Sequence, residues 1–137
     1  MKLKIVLPIL GFENINEYEL EKIDDVFFKL VGGEISFTLI NPFAIRPDYD
    51  VIISQNDKEK LEIKEDSNIL ILNNMIVATP LQNSTINFAS PIIFNIDNNK
   101  MGQVILENAQ NYSLTDPLAN YIKGEWWLLL LVMVKWL

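Results

Sequence analysis

Apolar and polar residues alternate in short stretches over most of the chain, up to about residue 112. This pattern is typical of β-strands, because successive side chains of a strand point to opposite faces of a sheet. Roughly seven strands at this spacing predict a small antiparallel barrel or sandwich, since closure of a sheet removes its unpaired edges. The predicted strands cover residues 3–7, 18–22, 27–31, 35–40, 49–53, 69–79, 86–96 and 101–106.

Residues that favour turns separate these stretches. Gly32 and Gly33 follow the third stretch, and residues 97–100 predict a hairpin between the last two. Asn73 and Asn74 interrupt the stretch at 69–79, where we predict a β-bulge. The chain has no long alternation of strands and helices, so a parallel sheet is not expected.

One short helix interrupts the strands. Asp57 is a candidate N-cap for the segment KEKLEI, which ends near Lys64. A second helix is predicted after residue 114, because Pro117 suits a first helical position and Thr115 or Asp116 can cap it. The predicted fold is therefore mostly β: a small antiparallel β-barrel-like domain (residues 1–114) with one short helix, and a C-terminal helical tail (residues 115–137).

Composition and charge narrow the possible functions. The chain has 137 residues and a formal net charge of −7, from 18 acidic and 11 basic side chains. Direct binding to nucleic acid is not expected, because affinity for phosphates depends on Lys and Arg. Cysteine and histidine are both missing from the sequence. Thiolate nucleophiles, the commonest general base and the commonest transition-metal ligand are therefore missing too, and no calcium-loop motif is present. We predict no catalytic, cofactor or metal site.

The N-terminus resembles a signal peptide only superficially. Lys2 and Lys4 precede an apolar run, but the run is short, contains Pro8 and offers no small-residue cleavage site. A first β-strand explains the same residues better, so we predict a cytoplasmic protein.

Four stretches are distinctive when taken together. In order, they are Gly11-Phe12-Glu13, INPFAIRPDYDV at 40–51, TINFASPIIFN at 85–95 and GQVILEN at 102–108. Their sequence and spacing resemble the flagellar assembly factor FliW family over residues 5–112. Ser90 stands where the family pattern has alanine before the proline.

This resemblance implies a regulatory function without catalysis. Proteins similar to FliW bind CsrA, a small basic mRNA-binding regulator, and block its repression of flagellin translation. They also bind flagellin, so free flagellin releases the regulator in a partner switch. An acidic domain on a basic RNA-binding protein would attract that protein and repel RNA, which agrees with the charge of this chain. A chaperone that stabilises flagellin without binding the regulator is an alternative.

Nine residues are candidates for partner contacts, and each also has a structural explanation. The acids around residues 13–25 outnumber Lys22 six to one and form a candidate electrostatic face, or a solvated strand edge. The aromatic candidates are also expected in a core, and the proline is also expected at a sheet edge. The candidates are Glu13, Glu17, Glu19, Glu21, Asp48, Tyr49, Asn87, Pro91 and Tyr121.

Two further classes of function remain open. A hydrolase that uses only carboxylates would need two of them in one cleft, with separated pKa values. A membrane-tethered protein would depend on the C-terminal run of nine apolar residues, 126–134. As a helix this run would extend only about 13 Å, which is less than half of a bilayer's apolar thickness, so a membrane span is not expected.

Three interpretations of the apolar end remain. It packs on the barrel or on a partner, or it enters a membrane interface through the tryptophans at 126, 127 and 136. Alternatively, residues 124–137 are non-native, as a frameshift or read-through would produce, because they match nothing in the family pattern.

Overall fold

The computed structural model describes residues 1–124 of the chain. Its strands are β1 (Lys2–Leu7), β2 (Glu17–Lys22), β3 (Phe27–Gly32), β4 (Ile35–Ile40), β5 (Ile69–Ile76), β6 (Thr85–Ile86), β7 (Ile92–Asn95), β8 (Lys100–Gln103) and β9 (Asp116–Pro117). Helix α1 covers Gln55–Lys60. Short 3-10 turns cover Pro42–Ala44, Leu81–Asn83, Ala109–Asn111 and Leu118–Asn120.

Seven of these strands close into a barrel. Their order around the ring is β4-β3-β2-β1-β8-β7-β5, and β5 returns to pair with β4. Closure uses the pairs Thr38–Met75, Leu39–Asn74 and Ile40–Asn73. β6 pairs with the end of β5, and β9 pairs with β6, so these two short strands lie outside the ring. The predicted mostly β, barrel-like fold is confirmed.

One neighbouring pair in the ring, β1 with β8, runs parallel. A closed ring with an odd number of strands cannot alternate direction at every step, so at least one pair must be parallel. The register of this pair shifts between Ile5 and Leu7, where Leu7 lies opposite Gly102. A Cβ atom at Gly102 would lie 2.5 Å from the Leu7 Cβ and 3.0 Å from the Leu7 backbone N and O. The parallel contact therefore requires glycine at position 102.

The barrel wall separates two apolar cores. Every strand of the ring contributes to the inner core, which contains Leu3, Tyr18, Leu20, Phe28, Leu30, Leu39, Leu72, Ile92, Phe94 and Met101, together with Ile9. The outer core lies between one side of the wall and the long connections that cover it. Its members are Phe27, Ile40, Tyr49, Leu61, Met75, Leu81, Ile86, Phe88, Ile93, Val104, Leu106, Leu118 and Ile122.

Adjacent residues of the covered strands therefore point into different cores. Phe27 and Phe28 of β3 are both buried, as are Ile92 and Ile93 of β7. Each such side chain contributes roughly 1.5–3 kcal/mol by leaving water, so both faces stabilise the wall. Burial on both faces also explains why apolar residues stand side by side in these strands, as at Phe27–Phe28 and Ile92–Ile93.

The predicted strand at 49–53 is wrong. Tyr49 lies in a turn in which its backbone N–H donates to the Arg46 carbonyl at 3.0 Å. The following residues cross the outside of the barrel, and Ile52 accepts a single backbone hydrogen bond from Glu107. The β-branched residues Val51 and Ile53 of this segment pack against the outer core instead of forming a strand.

Two details of the predicted strands differ from the structure. The stretch at 86–96 is divided into β6 and β7, because Pro91 cannot donate to a ladder and the chain leaves the sheet before it. No bulge occurs at Asn73 and Asn74, since both pair with β4 in unbroken register. The Asn73 side chain instead enters the outer core, where its Nδ2 donates to the Tyr49 hydroxyl and to the Asn87 carbonyl.

Both helix predictions also change. Ser54, rather than Asp57, caps α1, because the Ser54 Oγ accepts the Asp57 backbone N–H at 3.1 Å. The predicted C-terminal helix is instead strand β9 followed by one 3-10 turn. The Leu118 N–H donates to the Ser84 carbonyl, and Leu118 is fully buried, so the segment is held extended against the barrel. The interpretations of residues 125–137 lie outside the described residues.

We predict that Gly102→Ala lowers the free energy of unfolding by about 1–3 kcal/mol, because the added Cβ would collide with β1. Urea denaturation monitored by circular dichroism measures this change. As a control, Ser36→Ala alters an exposed residue of β4 and should stay within about 0.5 kcal/mol of the parent. Equal stability of the two variants would contradict the close β1–β8 contact.

A candidate protein-interaction groove

Three of the four distinctive stretches meet at one surface groove with a volume of about 350 Å³. Apolar side chains dominate its rim: Leu10 is 83%, Ile105 is 73% and Leu114 is 60% exposed. Isolated exposed apolar residues are common, but several around one concave site indicate a binding surface. The groove, here called the apolar groove, is lined by Pro8, Leu10, Glu13, Asn87, Ser90, Gln103, Ile105 and Leu114.

Gln103 at the end of β8 joins two walls of the apolar groove. Its Oε1 accepts the Leu10 N–H at 3.0 Å, and its Nε2 donates to the Ser90 carbonyl at 3.3 Å. One amide thus connects the loop after β1 with the segment between β6 and β7. These hydrogen bonds hold the backbone on both sides of the groove, and the apolar side chains of the rim take no part in them.

The other polar residues of the groove also bond to nearby backbone. Asn87 Oδ1 accepts the Ser90 N–H at 2.9 Å. Glu13 Oε1 accepts the Gly11 N–H at 3.0 Å, and this hydrogen bond lowers the pKa of Glu13. Gly11 has φ +92°, a conformation that suits glycine, and in this turn its N–H donates to the Glu13 carboxylate. The groove therefore offers mainly apolar surface, which suits side chains of another polypeptide segment.

The predicted acidic face of β2 is balanced by lysines. Antiparallel register places Lys4 opposite Glu17 and Lys2 opposite Glu19, while Glu21 lies opposite Lys29 of β3. Directly paired residues share one face of a sheet, so three lysines accompany these three acids. Counting the charges at 13–25 alone does not include these lysines, because they belong to the neighbouring strands β1 and β3.

The acids that follow β2 have local partners. Asp24 Oδ1 accepts the N–H groups of Val26 and Phe27 at 2.8 and 2.7 Å, which shapes the turn into β3. Asp25 pairs with Lys22 at 3.1 Å. These contacts favour a structural role for this acidic segment.

The remaining candidates are divided between the groove and a second cluster. Asn87 lines the apolar groove with Glu13, whereas Pro91 is buried and its carbonyl accepts the Val104 N–H. Tyr49 is only 5% exposed, and its hydroxyl donates to the Phe88 carbonyl. These observations make Pro91 and Tyr49 parts of the core.

Arg46, the only arginine of the chain, is the centre of the second cluster. Its guanidinium carbon lies 5.0 Å from the ring centre of Phe88, 4.8 Å from that of Tyr112 and 5.7 Å from that of Tyr121. Its Nη1 donates to the Tyr121 hydroxyl at 3.2 Å and lies 3.6 Å from the Asp116 carboxylate. The Tyr121 hydroxyl in turn donates to Asp116. Here this set of residues is called the Arg46 cluster.

The Arg46 cluster joins segments that are far apart in sequence. Arg46 belongs to the connection after β4, Phe88 precedes β7, and the other members lie at 112–121. A cation over aromatic rings contributes roughly 0.5–2 kcal/mol, depending on how far it is desolvated. Burial and then Asp116 raise the pKa of Tyr121, and the charge of the exposed Asp48 raises it further, so Asp48 lies near this cluster. Sequence reasoning missed Arg46, although a single arginine among many aromatic residues was a usable signal.

A second cleft, of about 450 Å³, bears on the hydrolase hypothesis. Glu62 and Asp97 line it, but Glu62 pairs with Lys100 and Asp97 accepts from Asn68. These bonds lower the pKa of both carboxyl groups and keep them ionised. Acid catalysis would need a carboxyl group whose pKa is raised, so this cleft does not support that hypothesis.

The fold and the groove together define a small β-barrel domain with an exposed apolar groove. Within residues 1–124, no cluster of three potential metal ligands occurs, and no helix is long and apolar enough to cross a membrane. The family model described as FliW protein matches residues 2–118. The chain therefore belongs to the FliW family of flagellar assembly factors.

Individual relatives agree with this assignment. A flagellar assembly factor FliW from Sulfurimonas denitrificans is 48% identical over 126 residues, covering 90% of this chain and 99% of the relative. FliW 2 from Wolinella succinogenes is 44% identical, covering 91% and 95%, and FliW from Campylobacter lari is 38% identical, covering 90% and 98%. A crystal structure of the flagellar assembly factor FliW superposes with a TM-score of 0.79 at 25% identity, covering 90% of this chain and 87% of that one.

We predict that Arg46→Met lowers the free energy of unfolding by about 2–4 kcal/mol, because it removes the cation from the rings and leaves Asp116 without its charged partner. Arg46→Lys should recover only part of this loss, since lysine lacks the planar donor fork. Urea denaturation of both variants measures the effect. Combination with Asp116→Asn in a double-mutant cycle tests whether the two side chains are coupled; additive effects would contradict the proposed pair.

The tyrosines of the Arg46 region predict sensitivity to alkaline pH. Burial raises the pKa of Tyr49 and of Tyr121 from 10.0 to about 12. The resulting stabilisation is fully present below pH 10 and is lost as pH rises towards about 12, because the unfolded chain releases these protons first. Urea denaturation at intervals from pH 8 to pH 12 should show this loss. Tyr121→Phe should make the decline less steep, and an unchanged slope would contradict the assignment.

Proposed function

We propose that this protein acts in flagellar assembly as a cytoplasmic binding antagonist of a CsrA-type mRNA-binding regulator, and that flagellin binding releases the regulator. The proposal needs a protein-binding surface and no catalytic group. The relatives named above are flagellar assembly factors, and the antagonism extends that function to a particular partner. The action would be translational regulation through protein binding alone.

The apolar groove is the observation that supports this proposal most strongly. Segments 11–13, 85–95 and 102–108 are distant in sequence, yet each provides a residue to its lining. Exposed apolar side chains grouped around one concave site are typical of surfaces that bind other proteins. The net charge of −7 would favour encounter with a basic partner, although the apolar contacts would supply most of the affinity.

A flagellin-stabilising chaperone that does not bind the regulator is the second candidate. The same groove could hold an apolar segment of flagellin, so its geometry is compatible with both functions. Only binding to the regulator separates them.

The test is calorimetric titration of the regulator into this protein, followed by competition with flagellin. We expect Ile105→Asp to weaken regulator binding by about tenfold or more, because a charge would replace a rim contact. Ile76→Asp is a matched control, since Ile76 is 64% exposed but does not line the groove.

A further comparison separates apolar from electrostatic recognition. The triple variant Glu17→Gln, Glu19→Gln, Glu21→Gln neutralises the face of β2 and should change affinity by less than about threefold, because lysines already balance it. A large loss in this variant, with normal binding by Ile105→Asp, would move the site to β2. Flagellin binding without regulator binding would favour the chaperone.

A further inference from the structure

The antiparallel ladder between β7 and β8 continues past the end of β8. The Val104 N–H donates to the Pro91 carbonyl at 3.0 Å, and the Leu106 N–H donates to the Ala89 carbonyl at 3.2 Å, in the same register as β7 and β8. In such a ladder, alternate residues direct their N–H and C=O groups to one neighbour, and the residue between them directs both groups to the other side. Ile105 therefore directs its N–H and C=O away from this ladder.

The other side of Ile105 is a free strand edge. β1, the neighbour of β8 on this side, pairs only as far as Leu7. The chain then turns away, since the Phe12 N–H donates to the carbonyl of the buried Ile9 at 2.9 Å. Among residues 1–124, neither the N–H nor the C=O of Ile105 has a hydrogen-bond partner, and Ile105 is 73% exposed.

This free edge is one residue long and lies in the apolar groove. Two positions further on, the Glu107 N–H donates to the Ile52 carbonyl at 2.9 Å, so the backbone is paired again there. The edge thus offers one donor and one acceptor, both from Ile105. The exposed side chains of Leu10 and Leu114 line the same groove, so apolar contacts accompany these two groups.

The two free backbone groups select the conformation of a binding partner. A helix uses its own N–H and C=O groups internally, whereas an extended segment leaves them free for a strand edge. Alternate side chains of such a segment can contact Leu10 and Leu114. Glu13 is the charged residue of the groove lining, and the exposed Glu107 is close to Ile105 in the chain. A lysine or arginine beside the apolar residues of the segment would complement these charges.

We propose that the apolar groove binds an extended apolar segment of a partner protein, flanked by a basic residue, through strand addition at Ile105. The segment accepts the Ile105 N–H and donates one of its own N–H groups to the Ile105 carbonyl. This inference rests on the proposed function for the identity of the partner, but the way of binding is independent of it.

Two substitutions at Ile105 separate backbone pairing from apolar contact. Proline lacks the N–H and is compatible with an edge position whose N–H faces away from the ladder. Alanine keeps the N–H but has less apolar surface than proline. Strand addition therefore predicts that Ile105→Pro binds the regulator roughly fivefold more weakly than Ile105→Ala in calorimetry. Equal affinities, or tighter binding by Ile105→Pro, would overturn the proposal. Circular dichroism checks that both variants fold.

Amide hydrogen exchange, followed by NMR, reports on the same N–H in the unsubstituted protein. In the free protein the Ile105 amide should exchange at least about tenfold faster than the amides of Val104 and Leu106, which are hydrogen-bonded. Binding of the regulator should slow the exchange of Ile105 by about tenfold or more. Rapid exchange of Ile105 in the complex would contradict strand addition.

Glu13→Gln tests the basic flank of the segment. Glutamine keeps an acceptor for the Gly11 N–H but removes the charge. The variant should bind the regulator about two- to threefold more weakly at low salt and equally at high salt, because salt screens exposed charges. Unaltered affinity at low salt would remove the basic residue from the proposal.

A synthetic peptide tests the strand site apart from the proposed function. The probe is an end-capped peptide that alternates valine and threonine and carries a lysine at each end. At millimolar concentration it should slow the exchange of the Ile105 amide, and the same peptide with methylated backbone nitrogens should not. If the first peptide has no effect, the strand site is wrong even where the regulator binds. Slowed exchange without any binding of the regulator would support the strand site and contradict the proposed function.

Discussion

Burial of the barrel wall on both faces is the constraint on which the rest of this structure depends. Side chains of β3, β4, β5 and β7 point outward as well as inward, and the outward ones, such as Phe27 and Ile93, need a cover. No second sheet or long helix within the described residues supplies one. The segments at 41–67, 87–91 and 104–122 supply it instead, so they carry an apolar core of their own. Arg46 holds these connections together, because it reaches rings from two of them.

The distinctive sequence stretches acquire a physical explanation from this arrangement. The stretch at 40–51 provides Arg46 and Tyr49 to the outer core, while the other three converge on the apolar groove. The groove forms where the covering segments meet the loop after β1, and Gln103 bridges them there. The same connections that cover the wall therefore also carry part of the exposed apolar rim of the groove.

Local patterns in the sequence predicted the barrel well, and long-range effects account for what they missed. The bounds of β4 and the hairpin between β7 and β8 follow from β-branched residues and turn chemistry, which act over a few positions. The segment at 49–53 was assigned as a strand because apolar residues look alike in a strand and in a covering loop. The lysines opposite Glu17 and Glu19 depend on strand register, and the groove depends on three separate segments, so neither follows from a local pattern. Glu13 and Asn87 were identified as candidates, but the apolar rim beside them was not.

The parallel pairing of β1 with β8 has a consequence for synthesis of the protein. β1 leaves the ribosome well before β8, because Met101 follows its partner Ile5 by almost a hundred positions. Until then β2, β3 and β4 can form a meander with β1, but one edge of β1 remains open. An exposed strand edge can pair with other chains, and contacts distant in sequence slow folding. The nascent chain therefore passes through a long interval in which its N-terminal strand is available to chaperones and to neighbouring nascent chains on the same message.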